Sequence, residues 1–249
     1  MTIVALQGLH GGVGTTSTAA ALGWALHRLG KRVLVVDATP DDQLAMHFNL
    51  PLSERGGWAS ACLAGRAWQE TAWRYAQGLD FLPFGAVAAD HLPRLAASLH
   101  PPEGLSAFTL LRDDYDWIVL DIGSGEHALT RQMVAWSELL IVLALAEANC
   151  HLRLHRQALP RDAHLLITQL LPSSVLQEDI YLLWQQTLPA LIPLVLHRDE
   201  AMAEAAASKQ PVGEFAPHSL VAQEITSLAA WCLLQARAEP NQDPGGTTP

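Results

Sequence analysis

Short runs of apolar residues recur along the chain, and helix-length segments rich in alanine, leucine and glutamine separate most of them. The runs cover residues 3–6, 33–36, 79–82, 117–120, 139–145, 164–167 and 191–196. Strands that are apolar on both faces and alternate with helices are typical of a parallel sheet that helices cover on both sides. The sequence therefore predicts an α/β fold in which residues 1–238 form a single doubly wound, mostly parallel sheet.

The C-terminal part of the chain divides into a predicted helix and a polar tail. Residues 220–236 carry apolar side chains at helical spacing, so we expect a terminal helix that packs on the sheet rather than a helix that binds a partner. Residues 239–249 are proline, glycine, threonine and other polar residues. They cannot support a core, and they predict a disordered C-terminal tail.

Composition and charge argue against several classes of protein. Half of the 249 residues are apolar, which argues against disorder. The chain has 15 Lys and Arg against 25 Asp and Glu, a net charge of −10, which argues against nucleic-acid binding and direct docking on anionic lipid. The 3 scattered cysteines form neither a disulfide framework nor a zinc site, and the apolar run at 139–146 is too short to span a bilayer. We therefore expect a cytoplasmic chain with no secretory signal and no membrane insertion.

A glycine-rich loop follows the first predicted strand directly and opens a helix that we predict over residues 15–29. The loop and the first helical turn read Gly8-Leu9-His10-Gly11-Gly12-Val13-Gly14-Thr15-Thr16-Ser17. Glycines allow backbone N–H groups to turn inward around an anion, and the helix N-terminus adds partial positive charge there. Hydroxyls in the first turn can also ligate Mg²⁺. The pattern predicts a phosphate-binding loop, and a tight turn that needs glycine only for packing is the alternative.

This loop departs at two positions from the standard phosphate-loop pattern, GxxxxGK[ST]. Leu9 stands at the first glycine, and Thr15 stands at the lysine. That lysine normally reaches the β- and γ-phosphates, so its loss predicts weaker catalysis. Backbone amides, the helix terminus and Mg²⁺ can still hold a nucleotide.

Two predicted strands end in aspartate. Asp37 follows the run 33–36, and Asp121 follows the run 117–120. The carboxyl ends of parallel strands face the crevice in which α/β folds bind ligands. We therefore expect both carboxylates beside the glycine loop, with a strand-end cap as the alternative role for Asp121.

With this loop and these strand ends, the chain resembles the MinD/ParA family of deviant phosphate-loop ATPases, which have the SIMIBI-type fold. In that family, lysines stand at the positions of His10 and Thr15, and a second aspartate stands at Thr39. The resemblance narrows to the BcsQ branch of the family, which takes part in cellulose biosynthesis. It rests on the loop Gly-Gly-Val-Gly-Thr-Thr and on residues 33–41, 82–85, 148–155, 197–204 and 209–214.

The resemblance implies that ATP and Mg²⁺ bind at this loop. Thr16 is the implied Mg²⁺ ligand, Asp121 holds a metal-bound water, and Asp37 lies near the metal or its water. The implied nucleotide contacts are His10, Gly11, Gly12, Val13, Gly14, Thr15, Thr16 and Ser17 around the phosphates, Glu147 at a ribose, and Thr168, Gln169, His197, Arg198 and Asp199 around the base. Among these, His10 and Glu147 are expected to reach a partner's nucleotide across a dimer. A polar loop residue and a solvated carboxylate are the alternatives.

Two groups that support hydrolysis in the family are absent here. Thr15 replaces the loop lysine, and Thr39 replaces the aspartate that orients the attacking water. A lost transition-state contact commonly costs ~10²–10³ in rate. Asp37 and Asp121 are then the candidate catalytic residues of a site that binds ATP with weak or absent hydrolysis. The acidic pair at 41–42 is an alternative water-positioning group.

The resemblance further implies a nucleotide-sandwich homodimer that acts as an essential regulatory or scaffolding subunit of the bacterial cellulose synthesis and secretion complex. Its implied partners are the small protein BcsR, the cyclic-di-GMP-binding protein BcsE and the cellulose synthase, which hold the chain at the inner membrane as a peripheral protein. An actively cycling positioning ATPase and a nucleotide-free interaction module are the alternatives. Nucleotide content and turnover discriminate between the three.

Overall fold

The computed structural model describes residues 1–51, 53–99, 111–157, 159–160 and 162–238. The strands in this part of the chain are β1 (Thr2–Gly8), β2 (Val33–Asp37), β3 (Trp73–Ala76), β4 (Leu79–Leu82), β5 (Trp117–Ser124), β6 (Leu139–Ala144), β7 (Ala163–Leu170) and β8 (Leu191–His197). They form one sheet in the order β3-β4-β2-β5-β1-β6-β7-β8. Neighbours pair in parallel except at β3, which is antiparallel to β4. The predicted tail at 239–249 lies outside the described residues.

This sheet confirms the predicted fold class. Every predicted apolar run is a strand of its parallel part. Successive side chains of a strand point to opposite faces. Val4 and Val35 accordingly pack in one half of the core, while Ile3 and Leu34 pack in the other.

Helices cover both faces of the sheet. They are α1 (Thr15–Arg28), α2 (Trp58–Leu63), α3 (Leu92–Ser98), α4 (Ala128–Trp136), α5 (Ala148–Arg156), α6 (Val175–Thr187), α7 (Ala201–Ala207), α8 (Val212–Phe215) and α9 (Leu220–Ala238). Helix α9 packs against α1 and β8 and buries Val221, Ile225, Leu228 and Cys232, which confirms the predicted packing of the terminal helix. No helix in the described ranges combines the length and apolar character needed to cross a membrane.

The edge strand β3 is the one strand in the described part of the chain that the apolar runs do not predict. Its side chains are exposed or half-buried, and Trp73 is 43% exposed. An antiparallel edge strand can leave one face to solvent, so it lacks the continuous apolar run that identifies the inner strands.

The strand order determines where a ligand site can form. β1 lies between β5 and β6, and β2 lies on the far side of β5. Because these four strands run parallel, their carboxyl ends meet at one edge of the sheet, where the loop after β1 opens helix α1.

Candidate functional site

The loop between β1 and α1 leads into a helix N-terminus that has no side-chain cap. Gly14 is the N-cap residue of α1 and has no side chain with which to cap it. Gly12 and Gly14 adopt φ angles of 87° and 86°, a region that glycine enters without steric cost. The first N–H groups of the helix and the amides of the loop are therefore available to an anion.

A cavity of about 760 Å³ lies over this loop. Polar residues of the loop, the segment after β2, the end of β5 and the start of α4 line it: His10, Gly11, Gly12, Gly14, Thr15, Thr16, Ser17, Thr39, Asp41, Gln43, Ser124, His127 and Thr130. Leu92, Pro93 and Ala96 on α3 add an apolar wall. The cavity thus gathers the predicted phosphate contacts except Val13, which is fully buried beneath the loop.

Asp37 lies behind the cavity wall and is fully buried. Its Oδ1 accepts hydrogen bonds from the backbone N–H and the hydroxyl of Thr39, at 2.9 and 2.8 Å, and its Oδ2 accepts from the N–H of Leu44 at 3.0 Å. Burial raises the pKa of this carboxyl well above its usual range, and the neighbouring Asp121 raises it further. Asp37 thereby stabilises the turn after β2 through these hydrogen bonds, one of which uses the proton of the Thr39 hydroxyl.

Asp121 pairs with Asp37 across β2 and β5 and is also fully buried. Its Oδ1 accepts a hydrogen bond from the N–H of Gly123 at 3.2 Å, whereas its buried Oδ2 has no hydrogen-bond partner within the described residues. Burial raises the pKa of Asp121, and the hydroxyl of Thr16 beside it opposes that rise. Mg²⁺ prefers oxygen ligands and keeps several bound waters. A hydroxyl that can ligate the metal, next to a carboxylate oxygen that can accept a hydrogen bond from a metal-bound water, therefore fits a hydrated Mg²⁺.

His10 and Glu147 contact each other within one chain. The His10 Nδ1 lies 2.7 Å from the carbonyl oxygen of Gly11, and its Nε2 lies 3.0 Å from Oε1 of Glu147. Both neighbours are acceptors, so both contacts are hydrogen bonds when the imidazole is protonated. The Cys150 thiol lies 4.0 Å from the same Glu147 oxygen, and one potential ligand atom from each of these three side chains falls within 4.8 Å of the others.

A second cavity, of about 250 Å³, shares Gly14 and Ser17 with the first. All five residues predicted around the base line this cavity: Thr168, Gln169, His197, Arg198 and Asp199. Its apolar lining consists of Val13, Leu196, Met202, Ala203, Ala206 and Val221. Two of these residues also hold the glycine loop. The Thr168 hydroxyl donates to the Val13 carbonyl, and the Gln169 side-chain N–H donates to the Gly12 carbonyl, both at 2.8 Å.

His47 is a site residue that no sequence pattern indicates. It belongs to the 3₁₀ helix Leu44–Phe48, is buried, and places its Nε2 3.4 Å from the Ser17 hydroxyl. Burial lowers its pKa to about 4. A neutral His47 therefore stands beside the residue predicted at the α-phosphate. Nothing in the local sequence signals this contact, because the two residues are 30 positions apart and share no motif.

Acidification is expected to destabilise the protein through His47. The unfolded chain binds this proton near pH 6.5, whereas the folded chain binds it near pH 4. The stabilising contribution of neutral His47 is therefore complete above pH 6.5 and is lost as pH falls toward 4, by ~3 kcal/mol in all. Between about pH 7 and pH 5, urea unfolding should show the native chain losing ~2 kcal/mol more than His47→Asn. Equal losses in the two proteins would contradict this prediction.

Glu224 is a second residue that the motifs do not identify. Its carboxylate binds the backbone N–H of His197 at 2.8 Å and the ring Nδ1 of His197 at 2.5 Å. One sequence signal does exist, since Glu224 is the one acidic residue of α9, a helix otherwise composed mostly of apolar residues. An isolated charge within such a helix commonly has a specific partner.

Comparisons with known proteins agree with this architecture. The family model for "Cellulose biosynthesis protein BcsQ" matches residues 1–233. The protein of that name from Salmonella typhi is 48% identical over 237 residues, covering 94% of this chain and 95% of the relative. Its Escherichia coli K12 counterpart is 43% identical over 241 residues, with coverages of 94% and 95%.

Among solved structures, the septum site-determining protein MinD of Pyrococcus horikoshii, complexed with Mg-ADP, superposes with a TM-score of 0.75. The two chains are 21% identical, and the match covers 96% of this chain and 99% of that one. A likeness at this level of identity establishes the shared fold.

Proposed function

The chain belongs to the cellulose biosynthesis protein BcsQ family and has the fold of the MinD/ParA ATPases, and we propose that it binds ATP with Mg²⁺ as a structural or switching ligand. In this proposal a nucleotide-sandwich homodimer acts as a regulatory scaffold of cellulose synthesis and secretion, with weak or absent hydrolysis. The observation that carries the nucleotide assignment is the N-terminus of α1, which has no side-chain cap, beside an Asp121 Oδ2 that no group in the described part of the chain hydrogen-bonds. The Mg-ADP in the related MinD structure supports the same assignment.

In this proposal, both the backbone and the side chains of the glycine loop contact the nucleotide and its metal. Amides from Gly11 to Thr16 hold the phosphates, and Ser17, beside His47, contacts the α-phosphate. Thr16 would supply a hydroxyl to Mg²⁺, and Asp121 would hold a metal-bound water through Oδ2, which has no hydrogen-bond partner among the described residues. Bound Mg²⁺ neutralises phosphate charge.

The side chains around the expected γ-phosphate position support binding more than hydrolysis. Thr15 brings no cation, and the Thr39 hydroxyl donates to Asp37 rather than to a water. Asp42 is also engaged, because its Oδ1 accepts a hydrogen bond from the N–H of Phe84 at 3.0 Å. Asp41 is exposed and lines the cavity, so it is the water-positioning group that a cycling ATPase would use.

The partners follow from the family rather than from a surface of the chain. BcsR, BcsE and the cellulose synthase are the proposed partners, and they hold the chain peripherally at the inner membrane. His10 and Glu147, which lie at the rim of the site, are proposed to contact a partner subunit's nucleotide in the homodimer. The net charge of −10 supports a role without nucleic acid.

The first experiment is to measure nucleotide content and turnover on the purified protein, with and without the small partner. The sample is denatured, the released nucleotide is identified, and phosphate release is followed after ATP·Mg²⁺ is added. We expect retained ATP and negligible phosphate release. Steady release would instead support the cycling positioning ATPase. An empty site under both conditions would support the nucleotide-free interaction module.

A further inference from the structure

Three potential metal ligands of different chemistry converge beside the glycine loop. The Nε2 of His10 lies 3.0 Å from Oε1 of Glu147, and the Sγ of Cys150 lies 4.0 Å from the same oxygen. One ligand atom from each side chain falls within 4.8 Å of the others. Ligand atoms that lie ~2.0–2.3 Å from a tetrahedral zinc ion are about 3.3–3.6 Å from one another. Small rotations of these side chains therefore bring the three atoms to the spacing that zinc requires.

The surroundings orient the His10 ring as metal-binding histidines are commonly oriented. Its Nδ1 lies 2.7 Å from the carbonyl oxygen of Gly11, and because a carbonyl only accepts, Nδ1 carries a proton. The other nitrogen, Nε2, faces Glu147 and then holds either a second proton or a metal ion. A backbone carbonyl that binds the remote N–H of a ligating histidine is a regular feature of metal sites.

The fold fixes the backbone segments that carry the three ligands. Leu9, which precedes the histidine, donates its N–H to β6 at 2.9 Å, and its carbonyl accepts from the Arg153 side chain on α5 at 3.3 Å. Glu147 is the N-cap residue of α5, and Cys150 is the third residue of that helix. Residues three apart lie on the same face of a helix. The loop and the start of α5 are thus held in contact before any metal binds.

Burial and chemistry suit zinc at this place. Cys150 is fully buried, whereas the side chains of His10 and Glu147 are 17% and 38% exposed, so the thiol forms the floor of the site and the other two form its mouth. Zinc takes imidazole nitrogen, thiolate sulfur and carboxylate oxygen, whereas Mg²⁺ prefers oxygen ligands alone. The carboxylate and a thiolate together balance the two charges of the ion.

We propose that His10, Glu147 and Cys150 bind one zinc ion in the nucleotide-free chain, with a water as the fourth ligand. Zinc coordinates the thiolate, so binding releases the thiol proton to solvent. This inference goes beyond the proposed function, since the site is distinct from the Mg²⁺ ligands Thr16 and Asp121 and needs no nucleotide. The spacing of the cysteines gives no sign of it, because the site takes a single cysteine and a histidine that is 137 positions from Glu147.

Zinc and cobalt titrations of the untagged, reduced and nucleotide-free protein test the site. Competition with a chromophoric chelator should show one zinc ion per chain, which a large excess of Mg²⁺ does not displace. Co²⁺ in place of zinc should give the visible bands of a tetrahedral ion and a thiolate-to-cobalt charge-transfer band in the near ultraviolet. Cys150→Ser should lose that band. Its zinc affinity should fall at least ~10–100-fold, the loss that removal of an outer-shell partner alone commonly causes.

His10→Asn is the second test variant, because it changes a partly exposed loop residue and remains informative even where Cys150→Ser does not fold. Its zinc affinity should fall by a similar factor. Cys62→Ser removes another free thiol, and His155→Asn removes an exposed histidine from α5, so both are matched controls that should bind both metals as the native chain does. The second control matters because the rings of His155 and His151 lie 4.5 Å apart and are themselves potential zinc ligands.

Three results would overturn the inference. They are a native chain that binds no zinc, native zinc affinity in a folded Cys150→Ser or His10→Asn variant, and loss of zinc binding in His155→Asn, which would place the metal on the histidine pair of α5. Binding of ATP·Mg²⁺ is measured separately on the same native preparation. Failure of the zinc site therefore leaves the proposed function intact, and failure of nucleotide binding leaves the zinc site intact.

Discussion

The double variant Thr15→Lys/Thr39→Asp is expected to release phosphate from ATP at least ~10²-fold faster than the native chain. The lysine adds a positive charge at the β- and γ-phosphates, where the native loop offers a hydroxyl. The aspartate replaces a neutral hydroxyl, which donates to Asp37 at 2.8 Å, with a charged carboxylate that accepts a hydrogen bond from the attacking water. Steady-state phosphate release at saturating ATP·Mg²⁺ measures the effect.

The single variants separate the two contributions. Thr15→Lys alone should give most of the gain, because Thr39→Asp places a third carboxylate beside the buried pair Asp37 and Asp121 and also removes a hydrogen bond to Asp37. Nucleotide affinity is measured in each protein, so that a change in binding is not mistaken for a change in rate. An unchanged rate with ATP fully bound would show that these two replacements do not cause the slow turnover.

Asp121→Asn is expected to stabilise the nucleotide-free protein while weakening its binding of ATP·Mg²⁺. Two carboxylates are buried side by side, and the charge of Asp121 contributes to the raised pKa of Asp37. Neutralising one of them removes that repulsion and the cost of burying a charge, which we expect to raise the free energy of unfolding by ~1–3 kcal/mol. The same change removes the anionic oxygen that orients the metal's water, so affinity for ATP·Mg²⁺ should fall ~10–100-fold.

Urea unfolding without nucleotide and titrations with and without Mg²⁺ test both halves of this prediction. Asp179→Asn is the matched control, since it removes an exposed carboxylate on α6 and should change neither quantity. The weaker binding should be confined to titrations that contain Mg²⁺. A destabilised variant, or an affinity that falls equally without Mg²⁺, would contradict the role given to Asp121.

The sequence by itself determined the sheet, the glycine loop and the two carboxylates beside it. Inner parallel strands are buried on both faces, so their apolar runs are continuous and visible without any tertiary information. Gly12 and Gly14 stand where the loop needs a positive φ, which is a local property of the chain. The positions of Asp37 and Asp121 follow from the strands β2 and β5 to which they belong. Once parallel strands are predicted, their carboxyl ends must meet at one edge, and the loop and both carboxylates are placed together.

Only the tertiary structure decided which side chains become partners. His10 contacts Glu147 across 137 positions, His47 contacts Ser17 across 30, and Glu224 contacts His197 across 27. The first pair joins the glycine loop to the N-terminus of α5, and the other two depend on how the 3₁₀ helix Leu44–Phe48 and α9 pack against the sheet. No local periodicity encodes that packing. The edge strand β3 was missed for a related reason, because its place depends on pairing with β4. Local propensity and the pattern of apolar residues are properties of one segment. A hydrogen bond between side chains that are distant in sequence forms only when the tertiary fold brings the two segments together.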